Sequence, residues 1–233
     1  MTSRPRLALV GSGSMGANHA RVIAESDVAD LAIIIDLDIE RARHLAEQYG
    51  CRFGDDFSAA SPCDAAVLAT PTRLHTEQAM ALLGLGLPLL VEKPVAPAVS
   101  DTRAVVEESK RRDLPLMCGF VERFNPAVTT VRAMLDEAPL HLIGTRHSPP
   151  TSQSTLSVVG DLLIHEIDLA LRYWRGAAVQ RVSAARENAG TAVPQVADCV
   201  LRFQHGLATI SASRASQRKV RTQLLATELE LYE

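Results

Sequence analysis

Six residues near the amino terminus, Gly11-Ser12-Gly13-Ser14-Met15-Gly16, form the pattern G-x-G-x-x-G. They lie between the apolar run Leu7–Val10 and a helical stretch, which is the context that a dinucleotide-binding turn requires. In such a turn the first glycine bends the chain, the second lets a pyrophosphate approach, and the third lets helix pack on strand. The N–H groups at the start of the helix would bind the phosphates. A purely structural glycine turn is the alternative.

Two further positions predict the same ligand. Asp36 follows the apolar run Leu31–Ile35 and stands 20 residues after Gly16, where a carboxylate can accept hydrogen bonds from the ribose of an adenosine. Thr70 and Pro71 follow another apolar run, and ligands of parallel sheets bind beyond the carboxyl ends of the strands. Alternatively, Asp36 only caps a helix and Pro71 only ends a strand.

The triplet Glu92-Lys93-Pro94 follows the apolar run Leu87–Val91, at the same edge of the predicted sheet. A lysine between an acid and a proline at this edge could enter an active site, and Pro94 could hold a cis bond. The alternative is a solvated lysine in a loop.

Residues 161–174 form a mostly apolar predicted helix with one polar stripe. At ~100° per residue, four polar side chains fall within about 60° of one another. They are Asp161, His165, Asp168 and Arg172, and Glu166 is the polar exception on the remaining surface. The stripe would face either water or a substrate pocket. Alternatively, Asp161 caps the helix, Asp168 pairs with Arg172, and His165 lies in the core.

The first half of the chain alternates short apolar runs with helical stretches. The predicted strands are Leu7–Val10, Leu31–Ile35, Ala65–Ala69, Leu87–Val91 and Leu114–Cys118, and the predicted helices are Ser14–Glu25, Ile39–Tyr49 with Gly50 as C-cap, His75–Leu83 and Ser100–Arg112. Continuous apolar strands separated by helices predict a doubly wound parallel sheet of the α/β class, covered on both faces.

Around residue 120 the pattern changes to helices followed by consecutive strands. The predicted helices are Ala127–Leu135 and Asp161–Trp174, and the predicted strands are Val179–Ala185, Ala197–Phe203, Leu207–Ala212, Val220–Ala226 and Glu228–Tyr232, with a hairpin turn at Gln204-His205-Gly206. This order predicts an α+β domain with a mainly antiparallel sheet. We therefore expect a dinucleotide-binding domain over residues 1–119 and a second domain over residues 120–233, with a mobile loop at Ser148–Thr155.

The composition excludes several other classes of protein. The chain has 233 residues, 47% of them hydrophobic, with a net charge of -3, which argues against a disordered chain and against a general nucleic-acid binder. No apolar run reaches the ~18 residues of a membrane span, and the first run is too short for a signal peptide. Four scattered cysteines predict reduced thiols in a cytoplasmic protein, and we expect no bound metal.

Taken together, these motifs resemble the Gfo/Idh/MocA family of NAD(P)-dependent oxidoreductases, which includes glucose–fructose oxidoreductase and inositol dehydrogenase. The matching segments, in family order, are Gly11–Gly16, Asp36, Ala69–Pro71, Glu92–Pro94, Arg123–Pro126 and Gly160–Asp168. The resemblance implies a Rossmann domain followed by the α+β domain, and hydride transfer between nicotinamide and a ring hydroxyl or ketone of a sugar or cyclitol. Residues 159–165 and 214–219 resemble members that act on nucleotide sugars, the UDP-N-acetylglucosamine 3-dehydrogenases.

The resemblance also implies roles for individual residues. Lys93, Asp161 and His165 would act at the reacting carbon and, with Arg123, would bind substrate. The cofactor would contact Gly11, Ser12, Gly13, Ser14, Met15, Gly16, Asp36, Thr70, Pro71, His75, Glu92 and Lys93. A histidine suits the general base near neutral pH, a nearby carboxylate can orient it, and a lysine can stabilise a developing alkoxide. Since Asp36 would face the ribose 2′ position, we expect NAD rather than NADP.

Family members commonly continue past this chain's last residue with more strands, so the second domain is expected to be truncated. A nucleotide-binding sensor or partner protein without catalysis is therefore the alternative function. The terminal segment Glu228–Glu233 alternates polar and apolar residues, and a sheet that ends there would leave an unpaired edge. We expect a homo-oligomer that forms through this C-terminal sheet.

Overall fold

The structure is a computed structural model that describes residues 4–150 and 156–233. The chain divides into two compact units, Met1–Gly119 and Phe120–Glu233. Within the described residues, no helix combines the length and the apolar character needed to cross a membrane.

The first unit is built on a six-stranded sheet in the order β3-β2-β1-β4-β5-β6. The strands are β1 Arg6–Val10, β2 Asp30–Ile35, β3 Arg52–Gly54, β4 Ala65–Leu68, β5 Leu89–Val91 and β6 Leu116–Cys118, and the helices are α1 Ser14–Ala24, α2 Ile39–Tyr49, α3 His75–Gly84 and α4 Val99–Arg111. All neighbouring strands pair in parallel. This order and direction are those of a Rossmann fold, as predicted.

Alternate residues of the central strands enter two separate cores. Ile33 and Ile35 pack with Leu82 of α3 and Val105 of α4, whereas Ile34 packs with residues of α1 and α2. Burial on both faces explains why these strands are continuous apolar runs in the sequence. The predicted end of α2 is confirmed, since Gly50 has a left-handed backbone with φ of 66°.

The sequence analysis missed β3 because this three-residue edge strand carries the exposed residues Arg52 and Phe53. The predicted strand from Leu87 starts at Leu89 instead. Pro88 precedes it and offers no N–H to a neighbouring strand.

The second unit holds a six-stranded sheet in the order β12-β11-β7-β10-β9-β8. The strands are β7 His141–His147, β8 Arg181–Glu187, β9 Val196–Arg202, β10 Leu207–Ser213, β11 Val220–Ala226 and β12 Leu231–Tyr232, and the α-helices are α5 Pro126–Met134 and α6 Ile164–Tyr173. Every pair is antiparallel except β7 with β10. The prediction of a mainly antiparallel sheet is confirmed.

One face of this sheet and the helix α6 enclose the core of the second unit. Leu142, Ile210 and Leu225 from the strands pack with Leu169 of α6. The predicted hairpin turn between β9 and β10 is confirmed by the hydrogen bond from Phe203 N to the Gly206 carbonyl, 3.1 Å long.

Two features of the second sheet differ from prediction. The sequence analysis missed β7 because its inward positions are Leu142, Gly144 and Arg146, so the apolar alternation is broken by a glycine and a charge. The terminal strand covers only Leu231–Tyr232 rather than residues 228–232. Of the loop predicted at 148–155, residues 151–155 lie outside the described residues.

The predicted helix from Asp161 begins as a π-helical turn, Val159–Leu163, and becomes α-helical only from Ile164. A π turn closes hydrogen bonds five residues apart and is wider than an α turn. The uniform angular spacing assumed for the polar stripe is therefore wrong at Asp161.

Candidate functional site

The glycine turn of the first unit shows a different constraint at each glycine. Gly11 has a φ of +101°, and a Cβ there would lie 2.7 Å from the Ala69 carbonyl carbon. At Gly16, a Cβ would lie 1.9 Å from the Gly11 carbonyl oxygen, so only glycine lets α1 start so close to the turn. At Gly13, a Cβ would meet no described protein atom within 4 Å. The second glycine thus leaves open space where a pyrophosphate can approach.

Helix α1 begins directly after this open position. Gly13 is its N-cap and supplies no side-chain hydrogen bond, so the first N–H groups of the helix keep their capacity to bind an anion. Ser14 and Met15 form the exposed first turn. The cradle fits a dinucleotide's phosphates.

Asp36 is already engaged with the glycine turn. The backbone N–H and the hydroxyl of Ser12 both donate to Asp36 Oδ2 at 2.7 Å, and Asp38 N–H donates to Oδ1 at 3.0 Å. Burial alone would raise the pKa of Asp36, but these hydrogen bonds and the Arg41 charge lower it below its ordinary value. A carboxylate has about four acceptor positions, so the described partners leave one for a ribose hydroxyl.

A cavity of about 230 Å³ joins these elements at the carboxyl ends of β1, β2 and β4. Its lining includes the predicted residues Gly11, Gly13, Asp36, Thr70 and Pro71, and the unpredicted residues Asp55, Phe57 and Gln78. The Thr70 hydroxyl donates to Gln78 Oε1 at 2.5 Å. Asp55 and Phe57 follow the missed strand β3, so finding that strand would have revealed them.

The two residues on either side of Lys93, Glu92 and Pro94, are each contacted by a histidine. The Lys93–Pro94 peptide bond is cis, and Lys93 itself is half-buried. Glu92 Oε1 lies 2.8 Å from His19 Nε2 of α1. His75 of α3 places Nδ1 3.0 Å from the Pro94 carbonyl oxygen and Nε2 2.7 Å from the Thr70 carbonyl oxygen. The ring nitrogens of His75, a predicted cofactor contact, thus face protein acceptors.

In the second unit, Asp161 is paired with a buried arginine. Arg214 is 2% exposed, and its guanidinium donates to Asp161 Oδ2 at 2.6 Å and to the Leu156 carbonyl oxygen at 2.7 Å. Arg214 comes from the end of β10, 53 residues away in the chain, and nothing local in the sequence predicts the pair. A fully buried guanidinium in this position fixes the orientation of the carboxylate.

His165 is buried beside an aromatic ring. Its ring lies 6.3 Å from the Phe120 ring in an edge-to-face arrangement, and Arg123 stands 4.9 Å from the same Phe120 ring. Arg123, a predicted substrate ligand, donates to both oxygens of Asp168 at 2.8 and 2.5 Å. The alternative pairing of Asp168 with Arg172 is therefore wrong.

Glu166, the polar residue outside the predicted stripe, belongs to a buried polar network on another face of α6. Arg146 contacts Glu166 at 2.7 Å and Glu122 at 3.0 Å, Gln223 donates to Glu166 at 2.7 Å, and Tyr173 donates to Gln223 at 2.9 Å. Burial, and then Glu166, raise the pKa of Tyr173 to about 12. In the sequence, Glu166 on the otherwise apolar surface of the predicted helix was a signal for this network, because a buried glutamate is almost always paired.

This network lines a cavity of about 290 Å³ in the second unit. Asp161 and His165 are not among its lining residues, so the predicted catalytic residues lie outside this cavity. Within the described part of the chain, no cluster of three or more His, Cys, Asp or Glu side chains could hold a metal ion.

Comparisons with known proteins agree with the observed fold. Residues 5–120 match the Gfo/Idh/MocA family, described as an oxidoreductase family with an NAD-binding Rossmann fold. Inositol 2-dehydrogenase 2 from Mycolicibacterium vanbaalenii is 31% identical over 205 residues, which cover 83% of this chain and 60% of that protein. This chain therefore spans less than two thirds of that relative.

Two solved structures share the fold over nearly the whole chain. UDP-N-acetylglucosamine 3-dehydrogenase from Acidithiobacillus ferrooxidans superposes with a TM-score of 0.90 and 28% identity, covering 97% of this chain and 75% of that one. GenD2 from gentamicin A biosynthesis, in complex with NAD, gives a TM-score of 0.90 at 21% identity, covering 99% and 72%.

The sequence of the same Acidithiobacillus enzyme is 30% identical over 219 residues, covering 93% of this chain and 69% of the relative. With that coverage and the match of residues 5–120, the chain belongs to the Gfo/Idh/MocA family of oxidoreductases.

Proposed function

We propose that this protein is an NAD-dependent dehydrogenase or reductase that acts on a ring hydroxyl or ketone of a sugar, a nucleotide sugar or a cyclitol. The observation that carries the proposal is the cavity that joins open space over Gly13 to the Asp36 carboxylate. The names of two relatives, inositol 2-dehydrogenase and UDP-N-acetylglucosamine 3-dehydrogenase, supply the substrate classes. They also favour an enzyme over a binding protein without catalysis.

The chain's own residues divide into two tasks. The glycine turn and the start of α1 hold the phosphates, while Asp36 accepts a hydrogen bond from the adenosine ribose. NAD, when bound, exchanges a hydride with the substrate carbon. His165 takes the hydroxyl proton as general base, and Asp161, itself fixed by Arg214, orients the imidazole and stabilises its protonated form. Lys93 places positive charge beside the substrate oxygen.

A panel assay tests this proposal. Purified protein is mixed with NAD or NADP and individual cyclitols, sugars and UDP-sugars, and reduced nicotinamide is followed by absorbance. We expect turnover with at least one of these substrates. If none of them is oxidised, and none of the corresponding ketones is reduced, the proposal is wrong.

The variant His165→Asn tests the role of the base. We expect nucleotide affinity to stay close to that of the wild type, whereas kcat falls by roughly 10²–10⁴-fold, the usual contribution of a general base. A melting curve shows whether the variant is folded. Normal turnover by a folded variant would mean that His165 is structural.

We also propose that the protein self-associates through the face of the second sheet that points away from α6. This face carries mainly uncharged side chains, among them Ile143, which is 39% exposed, and Thr209, with Asp198 beside them. Two copies that meet by the same face form a closed dimer. Light scattering over a dilution series should show a dimer or larger species, and Thr209→Glu should shift it towards monomer. A wild-type monomer at high concentration contradicts the proposal.

A further inference from the structure

Two histidines from different helices contact the residues on either side of Lys93. His19 of α1 reaches the Glu92 side chain, and His75 of α3 reaches the Pro94 carbonyl. We infer that His19 and His75 are positioning residues, which hold Glu92 and Pro94 so that the intervening Lys93 keeps one backbone position. The placement itself is independent of the reaction, and only its catalytic consequence rests on the proposed function.

The contact at Glu92 confines a buried carboxylate. Glu92 is 6% exposed, and its second oxygen accepts a hydrogen bond from Lys93 N–H at 3.2 Å. A Cβ on Gly119 would lie only 3.0 Å from the Glu92 carboxylate, so the carboxylate already packs against the end of β6. Burial alone would raise the pKa of Glu92, but the hydrogen bond and charge of His19 lower it. His19 thus stabilises the charged carboxylate that Lys93 N–H contacts.

The contact at Pro94 involves a histidine that lies between the segments after β4 and β5. His75 is 1% exposed, and its two ring nitrogens face the carbonyl oxygens of Pro94, after β5, and Thr70, after β4. A histidine can donate from both nitrogens only as imidazolium, and from one of them as neutral imidazole. In either form the ring lies between the two segments and can donate to the Pro94 carbonyl oxygen, to the Thr70 carbonyl oxygen, or to both.

Labelling of lysines reads out the position of Lys93 without any substrate. The chain has three lysines, and Lys110 and Lys219 are both exposed. Brief reaction of the intact protein with an amine-acylating reagent, followed by peptide mass spectrometry, gives the ratio of Lys93 labelling to labelling of these two. We expect the ratio to rise at least about threefold in His19→Ala and in His75→Ala, because a released segment opens more often.

Conservative variants separate positioning from general loss of packing. His19→Gln keeps a donor near the place of Nε2 and should restore the wild-type ratio. At position 75, Asn places its amide near Nδ1 and Gln places it near Nε2, so His75→Asn should keep Lys93 in place while His75→Gln should not. His44→Ala, at an exposed histidine of α2, is the control and should leave the ratio unchanged.

The outcomes decide between the alternatives. An unchanged ratio in folded alanine variants overturns the inference, as does an equal ratio in His75→Asn and His75→Gln. If an alanine variant does not fold, the comparison of the two conservative variants at position 75 still decides. Where the panel assay has found a substrate, the alanine variants should lower kcat more than they raise the KM for NAD. If the panel fails while the labelling ratios behave as expected, the proposed function is wrong and the positioning role stands.

Discussion

The acidic side chains of the two candidate sites are hydrogen-bonded by different kinds of partner. In the first unit, Asp36 accepts from the N–H and hydroxyl of Ser12, and Glu92 contacts His19. In the second unit, each acid on α6 or on the preceding π turn is held by an arginine: Asp161 by Arg214, Asp168 by Arg123 and Glu166 by Arg146. A buried guanidinium is always charged and must stay paired, whereas a backbone N–H or a hydroxyl carries no net charge that its partner has to balance.

This difference suggests how each unit responds to substitution. The candidate site of the first unit is open space bounded by backbone, so changes there should alter ligand binding more than folding. The candidate acids of the second unit belong to ion pairs with arginines, so changes to these pairs should alter folding first. The first experiment below compares the two units directly, and each of the others tests the expectation for one unit.

The largest effect is expected at Arg146, which is buried between Glu122 and Glu166. Arg146→Met leaves the buried Glu166 without its cation and leaves Glu122 with the exposed Arg221, 3.8 Å away, as its cation. It should lower the free energy of unfolding by about 3–5 kcal/mol. Urea titration measures the loss, and adding Glu166→Gln should recover part of it. The control is Arg43→Met in the first unit, where the arginine contacts Glu40 and Glu47 on an exposed surface. If Arg146→Met and Arg43→Met lose equal unfolding free energy, the proposed difference between the two units is wrong.

Two glycines of one turn should separate folding from binding. Gly16→Ala forces a Cβ against the Gly11 carbonyl and should destabilise the protein by about 1–3 kcal/mol, the usual result of overpacking. Gly13→Ala meets no protein atom, so its melting temperature should stay near wild type. Its affinity for NAD should nevertheless fall about tenfold or more, a loss of ~1.4 kcal/mol. Calorimetric titration measures this affinity, and undiminished binding by Gly13→Ala would show that the nucleotide does not cross this turn.

A smaller effect concerns the choice of nucleotide. The carboxylate of Asp36 would repel the 2′-phosphate of NADP by about 4 kcal/mol at ~4 Å and an effective dielectric near 20, before screening. Arg41 lies 3.6 Å from Asp36, and its positive charge offsets part of the repulsion of the 2′-phosphate. We expect NAD to bind at least about tenfold more tightly than NADP. The difference in affinity between NAD and NADP should become smaller in Asp36→Ala and larger in Arg41→Ala. Equal or tighter binding of NADP by the wild type contradicts the prediction.

The smallest effect concerns acid stability. Burial would raise the pKa of Glu122, but the Arg146 charge and hydrogen bonds from Asn125 and Arg146 lower it below the ordinary value. A lowered folded pKa stabilises the protein above the unfolded pKa, and this contribution is lost as the pH falls through the folded value. Between about pH 6 and pH 3.5, Glu122→Gln should therefore lose less unfolding free energy than wild type. An identical loss would show that Glu122 contributes nothing to acid sensitivity.

The same contrast explains what the sequence could predict. The glycine turn, Asp36 and the strand ends of the first unit depend on local patterns, so G-x-G-x-x-G and the apolar runs were enough to identify them. The pairs of the second unit join residues 20, 45 and 53 positions apart. No periodicity signals which arginine meets which acid, because the match depends on how distant strands and helices pack.

Two local features of the second unit, strand β7 and the π turn, could not be predicted from the sequence either. Strand β7 has Gly144 and Arg146 facing inward, because Glu166 occupies the space over the glycine and pairs with the arginine. The π turn at Val159–Leu163 interrupts the regular α-helical spacing, and no residue pattern in the sequence analysis indicated it. An even helical spacing therefore described α6 correctly and misplaced Asp161.

The hydrogen bonds from Ser12 to Asp36 also bear on the time course of nucleotide binding. They hold the glycine turn in shape within the protein's own structure, so an arriving nucleotide does not have to order this loop. A preformed site loses little conformational freedom on association, and capture need not wait for a slow rearrangement. Nucleotides that differ in affinity should then arrive at similar rates and differ chiefly in residence time.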